Sequence, residues 1–253
     1  QNLDLDVTVF CNFDSVKDIV SKNYDRVHFV ECTQEDTIGT EISGSTSTTT
    51  YELPVNNYYN YTYSQQIYKA DEINQAHTPT VITAISFKYD YSSPSTNKND
   101  VKIYLAHRPS NAFASTSDWT PIDNATLVYE GNLNCSQGWN KFNLDNYFNY
   151  NGTDNLVLIV DDNSGDYNSS SCVFDAHTNT YNSTLYYRND LTNPDPVNPP
   201  TGTLSTTRND VKFFSMIEMK DLALSLRMQT LLVFQLESLL VNSQEKERLN
   251  TSF

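Results

Sequence analysis

The stretch VITAISFKYDY at 81–91 puts Val81, Ile85, Phe87, Tyr89 and Tyr91 on one face of an extended chain. A period of two predicts a half-buried strand; a helix would repeat its apolar residues at three and four. Working outward, VKIYLAH at 101–107 alternates in the same way through Val101, Ile103 and Leu105. LVLIV at 156–160 is apolar without alternation, which predicts a central strand covered on both faces. Further strand-like runs fall at 63–68, 126–130, 138–144, 172–174, 184–188 and 211–214. Between them lie turn-forming clusters: Ser92-Ser93-Pro94, residues 97–100, Asn151-Gly152-Thr153-Asp154 and residues 161–166. Short helical turns are expected at 70–73 and 110–117. NPDPVNPP at 193–200 can be neither helix nor inner strand, because its prolines lack the N–H donor. Many short strands, polar turns and little helix predict an all-β domain. At this size a two-sheet antiparallel β-sandwich, jelly-roll-like, is the best fit.

Composition sets the limits of this domain. Sixteen of the 17 Tyr lie between Tyr51 and Tyr187, which marks residues 45–214 as the β-sandwich module of the 253-residue chain. Residues 1–44 read as an N-terminal α/β flank, or the end of a preceding domain, plus a linker. Leu5, Val7 and Val9 alternate as a strand, Asp14 caps a short helix to Val20, and residues 27–30 form a second strand. Residues 38–50, IGTEISGSTSTTT, read as polar linker. Residues 215–253 carry nine Leu and no Gly, Pro or Tyr. They read either as a helical tail that docks on the domain or a partner, or as a tail not native to this domain. Asp221, Arg227 and Glu237 interrupt the apolar run, so no membrane span is expected. Gln1 opens into Asn2-Leu3-Asp4 without a basic and apolar leader, so a removed signal or a fragment of a longer chain is expected.

Charge narrows the function. With 16 basic and 31 acidic residues the formal net charge is −15. That argues against a binder of duplex nucleic acid, which needs a basic face, and it disfavours an anionic membrane surface. Cys11, Cys32, Cys135 and Cys172 contain no CxxC pair, so a zinc knuckle has no support. Three pairings of these cysteines are open. Cys11–Cys32 with Cys135–Cys172 is the most economical, and buried thiols are the alternative. The chain has no GxSxG elbow, P-loop or Rossmann fingerprint, and no HExxH among His28, His77, His107 and His177. Its sequons at Asn60, Asn124, Asn134, Asn151, Asn168, Asn182 and Asn250 follow from abundant Asn, Ser and Thr.

Two groups of residues carry candidate chemistry. Asp161, Asp162 and Asp166 follow the apolar strand, and Asp162, Ser164 and Asp166 present oxygens at alternate positions, as a Ca²⁺ loop does. Tyr167 and Val173 stand where an EF-hand needs Gly and Glu, so only a looser Ca²⁺ site is expected, with a polar turn as the plain alternative. Tyr58, Tyr59, Tyr61 and Tyr63 are interleaved with Asn and Thr, and Trp119 and Trp139 are the two tryptophans. Flat rings beside amides and hydroxyls suit sugars, whose C–H faces stack while their hydroxyls hydrogen-bond. Tyr59, Tyr61 and Trp119 are therefore the expected ligand-binding residues, although aromatics are also favoured in strands for packing alone.

The strings TSTTTYELPVNNYYNYTYSQQIYKADEI at 46–73, SDWTPIDNATLVYEG at 117–131, GWNKFNL at 138–144 and YNGTDNLVLIVDDNSGDY at 150–167 share a further property. With NPDPVNPP and RNDVKFF at 208–214, they resemble an extracellular module of surface and secreted proteins of Bacteroidetes. Such modules are similar to jelly-roll adhesin and carbohydrate-binding domains. The resemblance implies a secreted or cell-surface location, neighbouring domains in a larger protein, and a glycan or host-surface ligand. The expected function is thus non-catalytic adhesion or carbohydrate binding. A ligand-free structural spacer and a glycoside hydrolase, or its ancillary domain, are the alternatives.

Overall fold

The structure is a computed structural model. It describes residues 53–73, 79–167 and 173–215 with side chains, and the backbones of Met216, Asp6–Val9, Arg26–Phe29, Thr33–Ile38 and Thr49–Tyr51. The first two strands, β1 (Asp6–Val9) and β2 (Arg26–Phe29), pair in parallel from Asp6↔Arg26 to Val9↔Phe29. A parallel pair needs a crossover connection; the helix expected at 14–20 lies outside the described residues, as does the Leu-rich tail.

A second compact unit spans Thr33–Ile217. In chain order its strands are β3 (Thr33–Ile38), β4 (Thr49–Tyr51), β5 (Tyr61–Tyr68), β6 (Thr80–Tyr89), β7 (Val101–Arg108) and β8 (Thr126–Gly131). They continue as β9 (Gly138–Tyr150), β10 (Asn155–Asp162), β11 (Phe174–Thr178), β12 (Thr184–Asn189), β13 (Thr203–Ser205), β14 (Thr207–Asn209) and β15 (Val211–Met216). One helical turn, α1 (Ala70–Ile73), follows β5. The six-stranded sheet runs β13-β12-β5-β10-β7-β8. The facing sheet runs β14-β11-β6-β15-β3, with β9 on β6 and β4 on β11. All described pairings within this unit are antiparallel, so the chain forms the two-sheet sandwich that the alternating runs predict. No helix among the described residues is long and apolar enough to cross a membrane.

Two apolar clusters hold the unit together. The larger fills the space between the sheets, with Ile85, Phe87, Phe148 and Phe213 meeting Ile103, Leu105, Leu158 and Val160. The smaller lies on the opposite, outer face of the six-stranded sheet, where Ile67, Val157 and Ile159 are covered by Phe113, Trp119 and Ile122. The chain between β7 and β8, residues 109–125, is therefore a flap over that outer face. Strand β10 sits between β5 and β7 and is buried on both faces, as LVLIV requires.

The structure corrects two local expectations. In β6 a bulge between Ile82 and Ala84 shifts the register, so Ile82 and not Val81 joins Ile85, Phe87 and Tyr89 in the core. Residues 110–117 are bends and turns instead of a helical turn. Ser110 Oγ donates to Ala112 O, Ser117 N donates to Ser115 Oγ, and Ala114 N donates to Asp118 Oδ2. Such side-chain bonds compete with helix formation. The 193–200 segment is an irregular loop leading to β13, as its prolines predict. Strands β3 and β4 fall in segments that read as flank and linker; β3 pairs with β15 and β4 with β11. Cys135 is buried, while Cys11, Cys32 and Cys172 lie outside the described residues, and with them both of the disulfides considered above.

Candidate ligand-binding face

Strand alternation builds this face. Along β5, Tyr61, Tyr63, Gln65 and Ile67 point outward, and their cross-strand partners point with them. One row reads Tyr187, Tyr63, Asp161, Lys102 and Glu130 across five strands. The next row toward the flap reads Leu185, Gln65, Ile159 and Tyr104. On the other side, Asn189 stands beside Tyr61. The flap covers the inner rows, and the Tyr187-to-Glu130 row marks where its apolar cover gives way to polar side chains.

The flap is tied down by Gln65 and Arg108. Gln65 Nε2 donates to Thr120 O at 2.9 Å, and Thr120 N returns a bond to Gln65 Oε1 at 2.8 Å. Arg108 pairs with Asp118 at 2.6 Å and lies 4.9 Å above the Phe113 ring. Trp119 rests on Tyr63 with ring centroids 5.2 Å apart and donates its indole N–H to Pro200 O at 2.9 Å. Gly202 makes that seat possible: a Cβ there would come within 2.6 Å of Trp119 Cζ2. Trp119 is thus half-buried and already partnered, an anchor of the flap.

At the polar row, Asn163 Nδ2 donates to Asp161 Oδ2 at 3.0 Å, and Asn193 Nδ2 donates to Asn163 Oδ1 at 2.6 Å. Asp161 Oδ1 is buried without a hydrogen-bond partner in the described structure. Burial pushes the Asp161 carboxyl up to about 6; the Asn163 bond and Lys102 oppose that shift, and Asp162 and Asp100 add to it. Burial also raises the Tyr104 and Tyr63 hydroxyls, with the Asp161 charge as a further cause. Lys102 reaches Glu130 at 3.6 Å on the exposed side. Asn189 Nδ2 donates to the Tyr187 hydroxyl at 2.9 Å.

Three loops close this end of the sheet. Asn60 N and Nδ2 donate to Asp190 Oδ1 and O, at 3.2 and 2.7 Å, and Gly165 N donates to Asn60 O at 3.1 Å. Gly165 has φ +62°, the left-handed region, and an added Cβ would stand 3.2 Å from the Tyr61 hydroxyl. Exposed large apolar side chains gather on these loops: Tyr58, Tyr167, Leu191 and Val197.

The expected site residues are only partly brought together. Tyr61 and Trp119 share the outer face, on either side of Tyr63. Tyr59 turns elsewhere: Arg188 lies 4.8 Å over its ring and 5.5 Å over Tyr186, side chains that alternate to the face opposite Tyr187. Asp161 and Asp162 are neighbours in one strand, so their side chains point to opposite faces of the sheet. Asp162 meets Lys98 at 2.8 Å, and Asp166 is exposed. No three His, Cys, Asp or Glu among the described residues form a group suited to a metal ion. Tyr187, Asn189, Lys102 and Tyr104 are the members of the face that sequence reading did not single out. Strand pairing assembles them, and no local pattern announces it. His107 packs on Phe148 and Tyr150, and burial lowers its pKa. His177 bridges Asp210 at 2.7 Å and Arg208 at 3.1 Å, so the two histidines whose side chains are described both have partners.

No family model matches this chain, and no curated protein matches it. Among solved structures it is similar to the cysteine protease and lectin-like domains of Cwp84, a surface layer associated protein of Clostridium difficile, at 11% identity and TM-score 0.33. That match covers 63% of this chain and 33% of that one. A second is a Clostridial cysteine protease Cwp84 variant after propeptide cleavage, also at 11% identity and TM-score 0.33, covering 69% of this chain and 41% of that one. This chain therefore spans less than half the length of either.

Proposed function

We propose that this protein is a non-catalytic extracellular module that binds glycan on the outer face of its six-stranded sheet. The observation that carries this reading is the partly exposed set Tyr61, Tyr187, Asn189 and Lys102, where two aromatic rings, an amide and an ammonium share one surface over the buried Tyr63 and Asp161, next to the flap. Sugar C–H faces stack on Tyr61 and Tyr187. Hydroxyls accept from Asn189, Asn163 and Lys102, which are partly exposed, while the buried Asp161 carboxylate holds Asn163 in place from beneath. Aromatic rings accompanied by a few placed polar groups are the kind of lining that fixes a small ligand's orientation. The module then serves adhesion within a larger secreted or surface protein.

Screening the full chain on a glycan array tests this, followed by calorimetry on the best binder. Tyr61→Ala and Tyr187→Ala should each lower affinity at least tenfold with little change in melting temperature. Tyr147→Ala, exposed on β9 of the other sheet, should bind as wild type. Binding that survives both substitutions would rule out this face, and failure to bind any glycan would favour the spacer reading.

A further inference from the structure

Lys98, in the connection between β6 and β7, is a charged residue with no exposed surface. Its ammonium stands 2.8 Å from Asp162 Oδ2, and neither side chain is exposed (0%/0%). The ammonium also directs two of its three donors at backbone carbonyls. Lys98 Nζ donates to Tyr59 O at 2.9 Å and to Asp166 O at 3.2 Å. One carboxylate and two carbonyl oxygens, contributed by the end of β10 and by two separate loops, thus converge on one positive charge. Hard oxygen donors of this kind are also what a bound Ca²⁺ collects. The same residues tie the loops in other ways. Ser164 N donates to Asp162 Oδ1 at 3.1 Å, Asp100 N donates to Ser164 Oγ at 3.2 Å, and Asn163 N donates to Asp100 O at 2.8 Å.

We infer that Lys98 is a tethered cation, and that the 56–60 and 163–167 loops are organised around its ammonium in the way that comparable loops are organised around a bound metal ion. The 161–166 segment then reads as a cation loop in the sequence because it is one, with the charge supplied by its own chain. Alternation separates the adjacent carboxylates: Asp162 faces the tethered cation, while Asp161 remains for the outer face. The loops set in this way include the one over Tyr61, and they need no metal to hold their positions. The inference stands on the Lys98 geometry alone and does not depend on glycan binding.

Thermal unfolding of the full chain tests it, using wild type, Lys98→Ala and Lys98→Met, each in EDTA, in millimolar Ca²⁺ and in propylammonium. Wild type should melt at one temperature in all three media. Both variants should melt about 10 °C lower, since each leaves Asp162 buried without its cation. Lys98→Ala opens the space of the missing stem and ammonium, so propylammonium or Ca²⁺ should recover at least half of its loss. Lys98→Met fills that space without charge and should not recover. A Ca²⁺-dependent rise in wild type would overturn the inference, and that arm requires no variant to fold. Equal recovery of Lys98→Met, or melting of Lys98→Met at the wild-type temperature, would overturn it as well.

Discussion

Asp161 and Asp162 show how much one residue step matters in a strand. Their side chains leave β10 on opposite faces, one toward Tyr63 and Lys102, the other toward Lys98. Burial raises both carboxyls, and at Asp162 the Lys98 charge opposes it. The consequence at Asp161 has a definite sign. The unfolded side chain titrates at its ordinary 3.8, while the folded one holds its proton up to about 6. Between those values the native state binds more protons, so stability from this group is present at low pH and is lost as pH rises through about 6. Asp161→Asn should therefore be more stable than wild type by up to about 3 kcal/mol above that range, with the difference closing toward pH 4. Urea unfolding from pH 4 to 7.5 measures it; a gap that does not change with pH would refute the assignment.

At the scale of elements, the flap and β5 explain each other. Every β5 residue after Tyr61 is buried, including Ser64, Gln65 and Gln66. Gln65 points outward and pairs both ways with Thr120 of the flap, whereas Gln66 points inward and pairs both ways with Asn209 at 2.7 Å. Removing either amide leaves buried backbone or side-chain groups unpaired, at about 1–3 kcal/mol each. Gln65→Ala should accordingly loosen the flap. Trp119→Ala should cost about 3–5 kcal/mol through its lost packing on Tyr63, and hydrogen exchange of residues 109–125 should rise in both variants. A Trp119→Ala protein of wild-type stability would show that the flap does not rely on that ring.

These elements were unequally legible in the sequence. The alternation at 101–107 and the unbroken run at 156–160 reflect burial directly, so both strands and the central position of β10 follow from them. The β6 bulge leaves no local mark, and the serines of 110–117 bond to nearby backbone in a way that residue spacing does not reveal. Tyr61 could be singled out because its neighbours are polar. Trp119 carries the same sequence signal, yet Pro200 and Gly202, distant in the chain, decide that it is an anchor. Lys98 gives no signal at all, since its oxygens come from residues 59, 162 and 166.

For the whole molecule, the boundaries of the unit follow from β3. It pairs with β15 from Thr33↔Met216 to Val211↔Ile38 and adds a six-residue ladder at the end of that sheet, where β3 takes the edge position from β15. A fragment of residues 33–217 should therefore melt higher than one of residues 45–214, which lacks that ladder, and the two should differ in self-association because they expose different edge strands. Light scattering and thermal unfolding compare them directly; identical behaviour would mean that β3 adds nothing to the sandwich.

The same pairing places the two ends of the unit side by side, with Thr33 opposite Met216. A domain whose ends are neighbours can be set into a host chain like a bead on a short loop, with little disturbance of the host. It also responds to tension in a particular way. A pull on the two ends acts across the β3·β15 rungs and opens them one after another, so this unit would lengthen before any domain whose end strands are loaded in shear.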